Sequence, residues 1–205
     1  MLEYENKAKE EGFQLVIGID EAGRGPLAGP VVASAVAIKD ANFISAIKDS
    51  KKLSPTQRRK ALHEIYDKAH VGTGIMNAEI IDQKNILQAT FLAMQQAVRK
   101  LIESLSEYQK SSEFTDKICL LVDGNQFKSN LPYAFKTIVK GDSLALSIAC
   151  ASIVAKESRD QIMKIYDQMY PQYGLKKHKG YPTKLHKEAI REFGHASIHR
   201  KTFRY

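Results

Sequence analysis

The sequence contains no long hydrophobic run and only two cysteines. Its apolar stretches fall far short of the roughly 18 to 20 residues that cross a bilayer, and its charged first residues lack the apolar core of a secretion signal. Cys119 and Cys150 both stand in apolar surroundings. We therefore expect a cytoplasmic protein that does not contact membranes, with two buried thiols rather than a disulfide or a metal site.

Acidic residues are scarce at the C-terminal end. The whole chain has a formal net charge of +8, and residues 171–205 hold nine lysine and arginine residues against two acids. A basic stretch with interleaved histidine and tyrosine is typical of proteins that bind polyanions. A charged run taken alone is more often a solvated helix face, so this pattern needs support from a site. The histidines of this stretch follow no standard zinc spacing.

The hydrophobic pattern predicts one compact unit. Residues 1–13 form a polar lead-in, and 14–205 form one domain whose core reaches about 145 and whose basic helical part covers 146–205. Apolar runs predict strands at 15–19, 31–38, 71–76, 118–122 and 135–139. Short connections join the first three strands, and long helices flank the last two. This order favours an α/β fold with a mixed sheet and helices on both faces.

The sequence also indicates where several helices begin and end. Ser54, Pro55 and Gln57 form a capping box that starts a helix, and Thr183 caps a final helix that Gly194 stops. The glycines of the third strand mark it as an edge strand. Further helices are predicted at 78–82, 85–104 and 143–169, a helical turn at 43–47, and loops at 107–116 and 176–183.

Acids end three of the predicted strands. Asp20 and Glu21 follow the first strand, Asp123 follows the fourth, and Asp142 comes shortly after the fifth. If these strands are neighbours, four carboxylates meet at one edge of the sheet, which is unfavourable without cations. Oxygen ligands select Mg²⁺ or Mn²⁺. Two such ions about 3.5 to 4 Å apart form the clamp used for in-line displacement at phosphorus.

A simpler interpretation applies to any one of these acids. A single acid after a strand is most often a turn or helix cap, so the metal hypothesis depends on the convergence of all four. Four other aspartates do not fit this pattern because they stand in polar loops or helical segments: Asp49, Asp82, Asp116 and Asp160.

A glycine-rich turn follows the first pair of acids. It contains Gly23, Arg24, Gly25 and, further on, Gly29. Glycine lets another backbone approach closely, so the turn predicts a recognition loop lined by backbone beside the metal site.

These motifs together resemble bacterial ribonuclease HII, the type 2 ribonuclease H family. The segments that carry the resemblance run in the family's order across most of the chain: 18–32 (GIDEAGRGPLAGPVV), 49–54 (DSKKLS), 85–94 (NILQATFLAM), 122–125 (VDGN), 140–160 (KGDSLALSIACASIVAKESRD) and 171–183 (PQYGLKKHKGYPT). The resemblance implies a ribonuclease H-like mixed five-stranded sheet flanked by helices, with a helical C-terminal lobe.

The resemblance also implies residue roles. The catalytic residues and metal ligands would be Asp20, Glu21, Asp123 and Asp142, holding two divalent ions, Mn²⁺ or Mg²⁺. The backbone of Gly23, Arg24 and Gly25 would recognise the ribose 2′-hydroxyl, and Tyr181 would pack on the sugar of the next deoxynucleotide. Candidate phosphate contacts are Lys51, Lys52, Lys140, Lys156 and Lys179. Leu144 and Ala145 depart from the family, whose members often carry basic or polar residues there.

The implied activity is that of an endoribonuclease. It would cleave the RNA strand of RNA–DNA hybrids and the 5′ side of single ribonucleotides in duplex DNA, leaving 3′-hydroxyl and 5′-phosphate ends. This activity belongs to ribonucleotide removal in DNA replication and repair. We expect a monomer, and the aromatic tail at 199–205 is a candidate contact for a sliding clamp. Two alternatives stay open: a nucleic-acid-binding protein without catalysis, and a DNA-cleaving nuclease or integrase of the same fold.

Overall fold

The computed structural model describes residues 1–105 and 112–204. The strands of its sheet are Leu15–Ala22 (β1), Val31–Ile38 (β2), Ala69–Met76 (β3), Ile118–Asp123 (β4) and Ala134–Ile138 (β5). The helices are Glu3–Glu10 (α1), Pro55–Lys68 (α2), Ala78–Lys84 (α3), Ile86–Glu103 (α4), Ser112–Thr115 (α5), Leu146–Met169 (α6), Leu175–His178 (α7) and Lys184–Phe193 (α8). Across the described residues, no helix is long and apolar enough to span a membrane.

The sheet is mixed and has the order β3-β2-β1-β4-β5. Strands β1, β2 and β3 pair antiparallel, whereas β1, β4 and β5 pair parallel. The predicted mixed five-stranded sheet is therefore confirmed, and β3 is an edge strand as its glycines indicated. Because β1, β4 and β5 are parallel neighbours, their carboxyl-terminal ends all lie at the same end of the sheet.

Helices cover both faces of the sheet, as predicted. Ile17 and Ile19 point to one face and join a core with Met94 and Val98 of α4. Val16 points to the other face and packs with Ile148 of α6. This alternation follows from the two-residue period of a strand. On the second face, the small residues at the start of α6 pack directly against the sheet. Cys119 and Cys150 are buried and free, as expected.

The lead-in has a structural role that the sequence did not reveal. At the start of α6, Ala145 offers no side-chain cap. Glu5 of α1 supplies one from a distance, because its Oε1 accepts hydrogen bonds from the backbone N–H of Ser147 (2.8 Å) and from the Ser147 hydroxyl (2.7 Å). The carbonyl of Met1 accepts the N–H of Leu146 at 2.8 Å. The N-terminal lead-in therefore provides acceptors for the backbone N–H groups of Leu146 and Ser147 at the start of α6.

Two predicted helix positions were wrong. Residues 43–47 form no helical turn; instead the N–H groups of Ile44 and Ser45 donate to the carboxylate of Glu64 on α2. The long helix begins at Leu146 rather than at 143, because Gly141–Ser143 forms a separate 3₁₀ turn.

The predicted loops need similar corrections. Of the loop predicted at 107–116, residues 107–111 lie outside the described residues, and Ser112–Thr115 is a short helix. The start of the basic loop at 176–183 is helical as part of α7. The capped start of α2 and the bounds of β2 match their predictions.

Candidate active site

The four acids lie on three neighbouring segments. Strand β1 extends beyond the predicted end to Ala22, so Asp20 and Glu21 lie within the strand and still pair with β2. Ile19 is paired with Val122 on β4, and Asp20 and Asp123 are the next residues of these parallel strands. The N–H of Gly141 donates to Oδ1 of Asp123 at 2.7 Å, which holds the turn that carries Asp142 against the end of β4.

The charges of these acids act on one another. Burial raises the pKa of Asp20 well above its usual range, and the neighbouring charges of Glu21 and Asp123 raise it further. Burial also raises the pKa of Glu21, while Arg24 opposes the shift and Asp123 adds to it. For Asp142 burial again comes first in raising the pKa, followed by the charges of Asp49 and Asp123. Asp123 therefore influences all three other acids.

The donor chemistry of this cluster fits a divalent metal. Its groups are carboxylates that repel one another, a combination that hard cations stabilise. The described residues contain no group of three or more Asp, Glu, His or Cys side chains that already surrounds one point as metal ligands. The fit therefore comes from donor type, burial and mutual repulsion, and a bound ion would have to draw the carboxylates together.

A cleft of about 330 Å³ lies beside Asp20 and Glu21. Its walls come from the end of β1, the glycine-rich turn, the loop before α2, one face of α6 and Tyr181. The predicted site residues that line it are Asp20, Glu21, Gly23, Arg24, Gly25, Lys51, Lys156 and Tyr181. A second cleft of about 240 Å³ contains Glu21, Arg24 and Asp123. Glu21 and Arg24 line both clefts and are joined by an ion pair of 3.3 Å.

Four predicted site residues line neither of these two clefts. Asp142 is buried, and this burial and the charge of Asp123 raise its pKa. Lys140 is exposed and has a left-handed backbone conformation, with φ of 58°. Lys52 extends toward Asp49 at 3.9 Å, and Lys179 contributes its carbonyl to Arg159 at 3.0 Å. The structure thus brings Lys51 and Lys156, but not the other three lysines, into the cleft.

The two glycines of the turn occupy different environments. Gly23 has a φ of +99°, and a Cβ atom at this position would lie 2.1 Å from Nε of Arg159. Only glycine fits there, because both the backbone and the space exclude a side chain. At Gly25 a Cβ atom would meet only Cε1 of Tyr181, at 3.7 Å. Tyr181 therefore faces the glycine-rich turn across a narrow gap.

A chain of histidines holds the segment that carries Tyr181. Nδ1 of His186 donates to the carbonyl of Tyr181 at 3.0 Å, so Nε2 of His186 is left to accept from Nε2 of His199 at 3.2 Å. Nδ1 of His199 accepts the N–H of Ala196 at 3.0 Å, which is consistent with this tautomer. Burial, with the charge of His186 second, lowers the pKa of His199 to about 4. These histidines are therefore neutral structural groups.

Two residues near the acids escaped the sequence interpretation. The sequence places Asp49 in a polar loop outside the strand-end pattern, yet its charge raises the pKa of Asp142, so it lies near the four acids. Ser152 of α6 hydrogen-bonds Asp20 and also lies 2.9 Å from the hydroxyl of Ser50. The DSKKLS segment, one of the motifs of the resemblance, could have identified Asp49 as a site residue. Ser152 lies in a run of small helical residues, and no feature of that run distinguishes it.

Two other aspartates that do not fit the strand-end pattern, Asp82 and Asp160, bind other parts of the protein. Asp82 accepts bonds from the backbone N–H groups of Lys201 and Thr202 and from the Thr202 hydroxyl. Asp160 pairs with Lys156 at 2.6 Å and with Arg58 at 3.6 Å.

Comparison with known proteins decides the family. The model of the family described as ribonuclease HII matches residues 17–205. The chain belongs to the ribonuclease HII family. Relatives named ribonuclease HII include one from Geotalea uraniireducens, 48% identical over 205 residues, which are 100% of this chain and 89% of that protein. Another, from Syntrophus aciditrophicus, is 47% identical over 203 residues, covering 98% of this chain and 89% of that protein.

Solved structures extend the fold of the ribonuclease HII family to distant relatives. The ribonuclease HII of a complex with PCNA from Archaeoglobus fulgidus superposes with a TM-score of 0.71 at 22% identity, covering 93% of this chain and 96% of that chain. Bst-RNase HIII in complex with Mn²⁺ gives a TM-score of 0.70 at 18% identity, covering 96% and 69%. These matches show a shared ribonuclease H-like fold. Membership in the family makes the chain a ribonuclease H, a nuclease of the hydrolase class.

Proposed function

We propose that this member of the family cleaves the RNA strand of RNA–DNA hybrids and the 5′ side of single ribonucleotides in duplex DNA. The observation that carries the proposal is the composition of one cleft. Asp20 and Glu21 line it together with Gly23, Arg24, Gly25 and Tyr181. The residues that would recognise a sugar and those that would cleave a phosphodiester therefore line one cleft.

Recognition of the sugar would depend on the backbone of the turn. A backbone group contacts a ribose hydroxyl whatever the base, so the enzyme would cut without regard to sequence. The half-exposed ring of Tyr181 stands 3.7 Å from the place where a Gly25 side chain would begin. A sugar packed on this ring would have little room for a 2′-substituent. The ring would therefore favour a deoxynucleotide directly after the ribonucleotide.

Cleavage would depend on the four acids as ligands of two divalent ions, Mn²⁺ or Mg²⁺. When bound, such ions would lower the pKa of the attacking water and stabilise the leaving 3′-oxygen, and hydrolysis would leave 3′-hydroxyl and 5′-phosphate ends. Among the chain's own groups, Arg24 neutralises Glu21 at 3.3 Å, and the charge of Lys51 acts on both Glu21 and Asp142. The Mn²⁺ bound to Bst-RNase HIII, a protein of the same fold, supports this choice of metal.

The basic residues would hold the phosphate backbone of the duplex. Lys51 and Lys156 line the cleft and are the strongest candidates for contacts near the cut. Lys52, Lys140 and Lys179 lie outside it and would contact phosphates further along the duplex. Because each such contact releases counterions, binding should weaken steeply as salt rises.

We further propose a cytoplasmic monomer that acts in DNA replication and repair. The Archaeoglobus fulgidus structure contains PCNA, which supports a clamp contact in the family. In this chain the ring of Phe203 packs 5.0 Å from the guanidinium of Arg200, and Thr202 is bonded to Asp82. A clamp contact through the tail would therefore require release of Phe203.

Cleavage of a labelled duplex with one ribonucleotide tests the activity. With Mg²⁺ or Mn²⁺ we expect one cut on the 5′ side of the ribonucleotide, and cutting along the RNA strand of a hybrid. A matched duplex made only of DNA should stay intact. Cutting of the DNA duplex would favour a DNA nuclease, and binding without any cut would favour a non-catalytic binding protein.

A further inference from the structure

Two buried arginines hold the glycine-rich turn. Arg159 on α6 is 2% exposed and Arg200 in the C-terminal segment is 1% exposed. Within the described part of the chain, all their hydrogen bonds end on backbone carbonyl oxygens. Burial, with the neighbouring charge of Arg159 second, lowers the pKa of Arg200 to about 9. Because a buried guanidinium is costly, packing alone is a poor explanation for either residue.

The bonds of Arg200 fix both ends of the turn. Its Nη2 donates to the carbonyl of Gly23 at 2.6 Å, and its Nη1 donates to the carbonyl of Arg24 at 2.9 Å. Its Nε and Nη2 also reach the carbonyl of Gly29, at 3.0 and 2.8 Å. Only the planar fork of an arginine offers enough donors in one plane for this set of acceptors.

Arg159 ties the end of the turn to the segment of Tyr181. It donates to the carbonyls of Ala28 and Pro30 at 3.0 and 2.9 Å, and to the carbonyl of Lys179 at 3.0 Å. The N–H of Leu27 donates to the carbonyl of Gly180 at 2.8 Å. The turn and the tyrosine segment are therefore parts of one hydrogen-bonded unit.

The bonds to Arg200 determine where the amide hydrogens of the turn point. In a trans peptide, the C=O and N–H groups of one unit point in opposite directions. The carbonyls of Gly23 and Arg24 point inward to Arg200, so the N–H groups of Arg24 and Gly25 point outward. Gly23, Arg24 and Gly25 are all part of the lining of the cleft. Two adjacent N–H donors that point away from Arg200 would therefore be available to a sugar oxygen bound in the cleft.

We propose that Arg200 is a positioning residue that orients the N–H groups of Arg24 and Gly25 toward the 2′-hydroxyl, with Arg159 bracing the far end of the turn. This assignment rests on the proposed function, because it concerns how the same site tells ribose from deoxyribose. It identifies a specificity determinant in the C-terminal segment, 176 positions along the chain from Arg24 and 177 from Gly23. The side chain acts through the turn and does not touch the substrate.

Binding without divalent ions tests this role separately from catalysis. The probes are two fluorescent duplexes that differ in one sugar, ribose or deoxyribose, and the readout is the ratio of their dissociation constants by anisotropy. For Arg200→Gln we expect the preference for ribose to fall roughly tenfold, the equivalent of one hydrogen bond, while affinity for the DNA duplex stays the same. Arg200→Lys keeps the charge but not the fork and should show an intermediate preference.

Arg58→Gln is the matched control. Arg58 is buried as well and donates to the carbonyls of Ser50 and Leu53, which belong to a different loop of the same cleft. Its loss should change the affinity for both duplexes by the same factor. The assignment would be overturned if folded Arg200→Gln kept the wild-type ratio of the two dissociation constants. It would also be overturned if Arg58→Gln lowered that ratio as much as Arg200→Gln does. If Arg200→Gln does not fold, a wild-type ratio in Arg200→Lys overturns it instead.

The wild-type protein distinguishes the two levels of the proposal. A wild-type chain that binds both duplexes equally would contradict the proposed reading of the 2′-hydroxyl, and the role of Arg200 would fall with it. A wild-type preference that survives in the Arg200 variants would contradict the positioning role alone.

Discussion

The ring of Tyr181 and the backbone of Gly25 face each other at the mouth of the cleft, with 3.7 Å between Cε1 and the position of a Cβ atom on Gly25. Apart from Gly25 itself and its two chain neighbours, no other residue of the described chain has an atom within 4 Å of that position. The protein thus leaves room at Gly25 that its own packing does not use. At Gly23, by contrast, the guanidinium of Arg159 already fills the space.

We predict that Gly25→Ala folds like the wild type but binds and cleaves the ribonucleotide duplex poorly. The added methyl group makes only an ordinary contact with Tyr181, so the melting temperature should stay nearly the same. It would extend into the space that we propose for the sugar, and cleavage should fall by at least roughly tenfold. Single-turnover kinetics and thermal melting measure the two effects.

Gly23→Ala is the contrasting variant. Its φ of +99° and the 2.1 Å approach to Arg159 should cost about 2 to 4 kcal/mol of unfolding free energy. Equal loss of stability in both glycine variants would show that the gap at Gly25 is a packing feature and not a binding feature.

The sequence predicted the acids because strand and charge patterns are local. Apolar runs marked the strands, and Asp20, Glu21 and Asp123 stood at their ends. The parallel pairing that joins β1 to β4 could only be assumed, since pairing is a long-range property. The structure supplied it, and with it the influence of Asp123 on the other three acids.

Other parts of the site had no local signal. Arg200 belongs to a basic stretch and Arg159 to a charged helical segment, and both segments look like solvated surface in the sequence. Both arginines are nevertheless buried against carbonyls far away in the chain. The cap that Glu5 provides to α6 spans 142 positions. Residue spacing indicates which side chains share one face of a helix or strand. It does not indicate which distant part of the chain packs against that face.

We predict that Asp123→Asn reduces cleavage at least about a hundredfold with either metal. The amide keeps the size of the side chain but removes the charge that acts on Asp20, Glu21 and Asp142. Mg²⁺ or Mn²⁺ should raise the melting temperature of the wild type more than that of the variant, since a ligand stabilises the state that binds it. Titrations of both metals by thermal melting give this second readout.

Asp82→Asn serves as the control for Asp123→Asn. Asp82 anchors Thr202 and the backbone of Lys201, so its replacement should cost about 1 kcal/mol of stability and leave the response to metal intact. A normal metal response and full cleavage in Asp123→Asn would remove Asp123 from the metal site.

We predict that Glu5→Ala lowers the unfolding free energy by about 2 kcal/mol. The variant leaves the N–H and hydroxyl of Ser147 without their acceptor at a buried helix start. Urea denaturation measures the loss, and Glu3→Ala on the exposed side of the same helix is the control that should stay near the wild type. Equal values for the two variants would contradict the capping role.

We predict that mild acid destabilises the protein through His199. Its pKa is lowered in the folded state to about 4 from 6.5, so the unfolded chain binds the proton more readily between these values. The stability from neutral His199 is complete above about pH 6.5 and is lost as pH falls toward 4. Melting temperatures across this range should fall on acidification.

His199→Gln should flatten this dependence on pH, because the variant has no proton to take up on unfolding. His63→Gln on the exposed face of α2 should keep the slope of the wild type. A wild-type slope in His199→Gln would assign the effect to other groups.

The most direct test of the central claim is cleavage of duplexes that differ only in the 2′-substituent of one sugar. Three versions carry a hydroxyl, a hydrogen or an O-methyl group at the same position, and each is incubated with the wild-type protein and Mg²⁺ or Mn²⁺. We predict a single cut on the 5′ side of the hydroxyl-bearing nucleotide and no cut in the other two. Equal cutting of the deoxyribose duplex would contradict the account, because the glycine-rich turn would then read no hydroxyl.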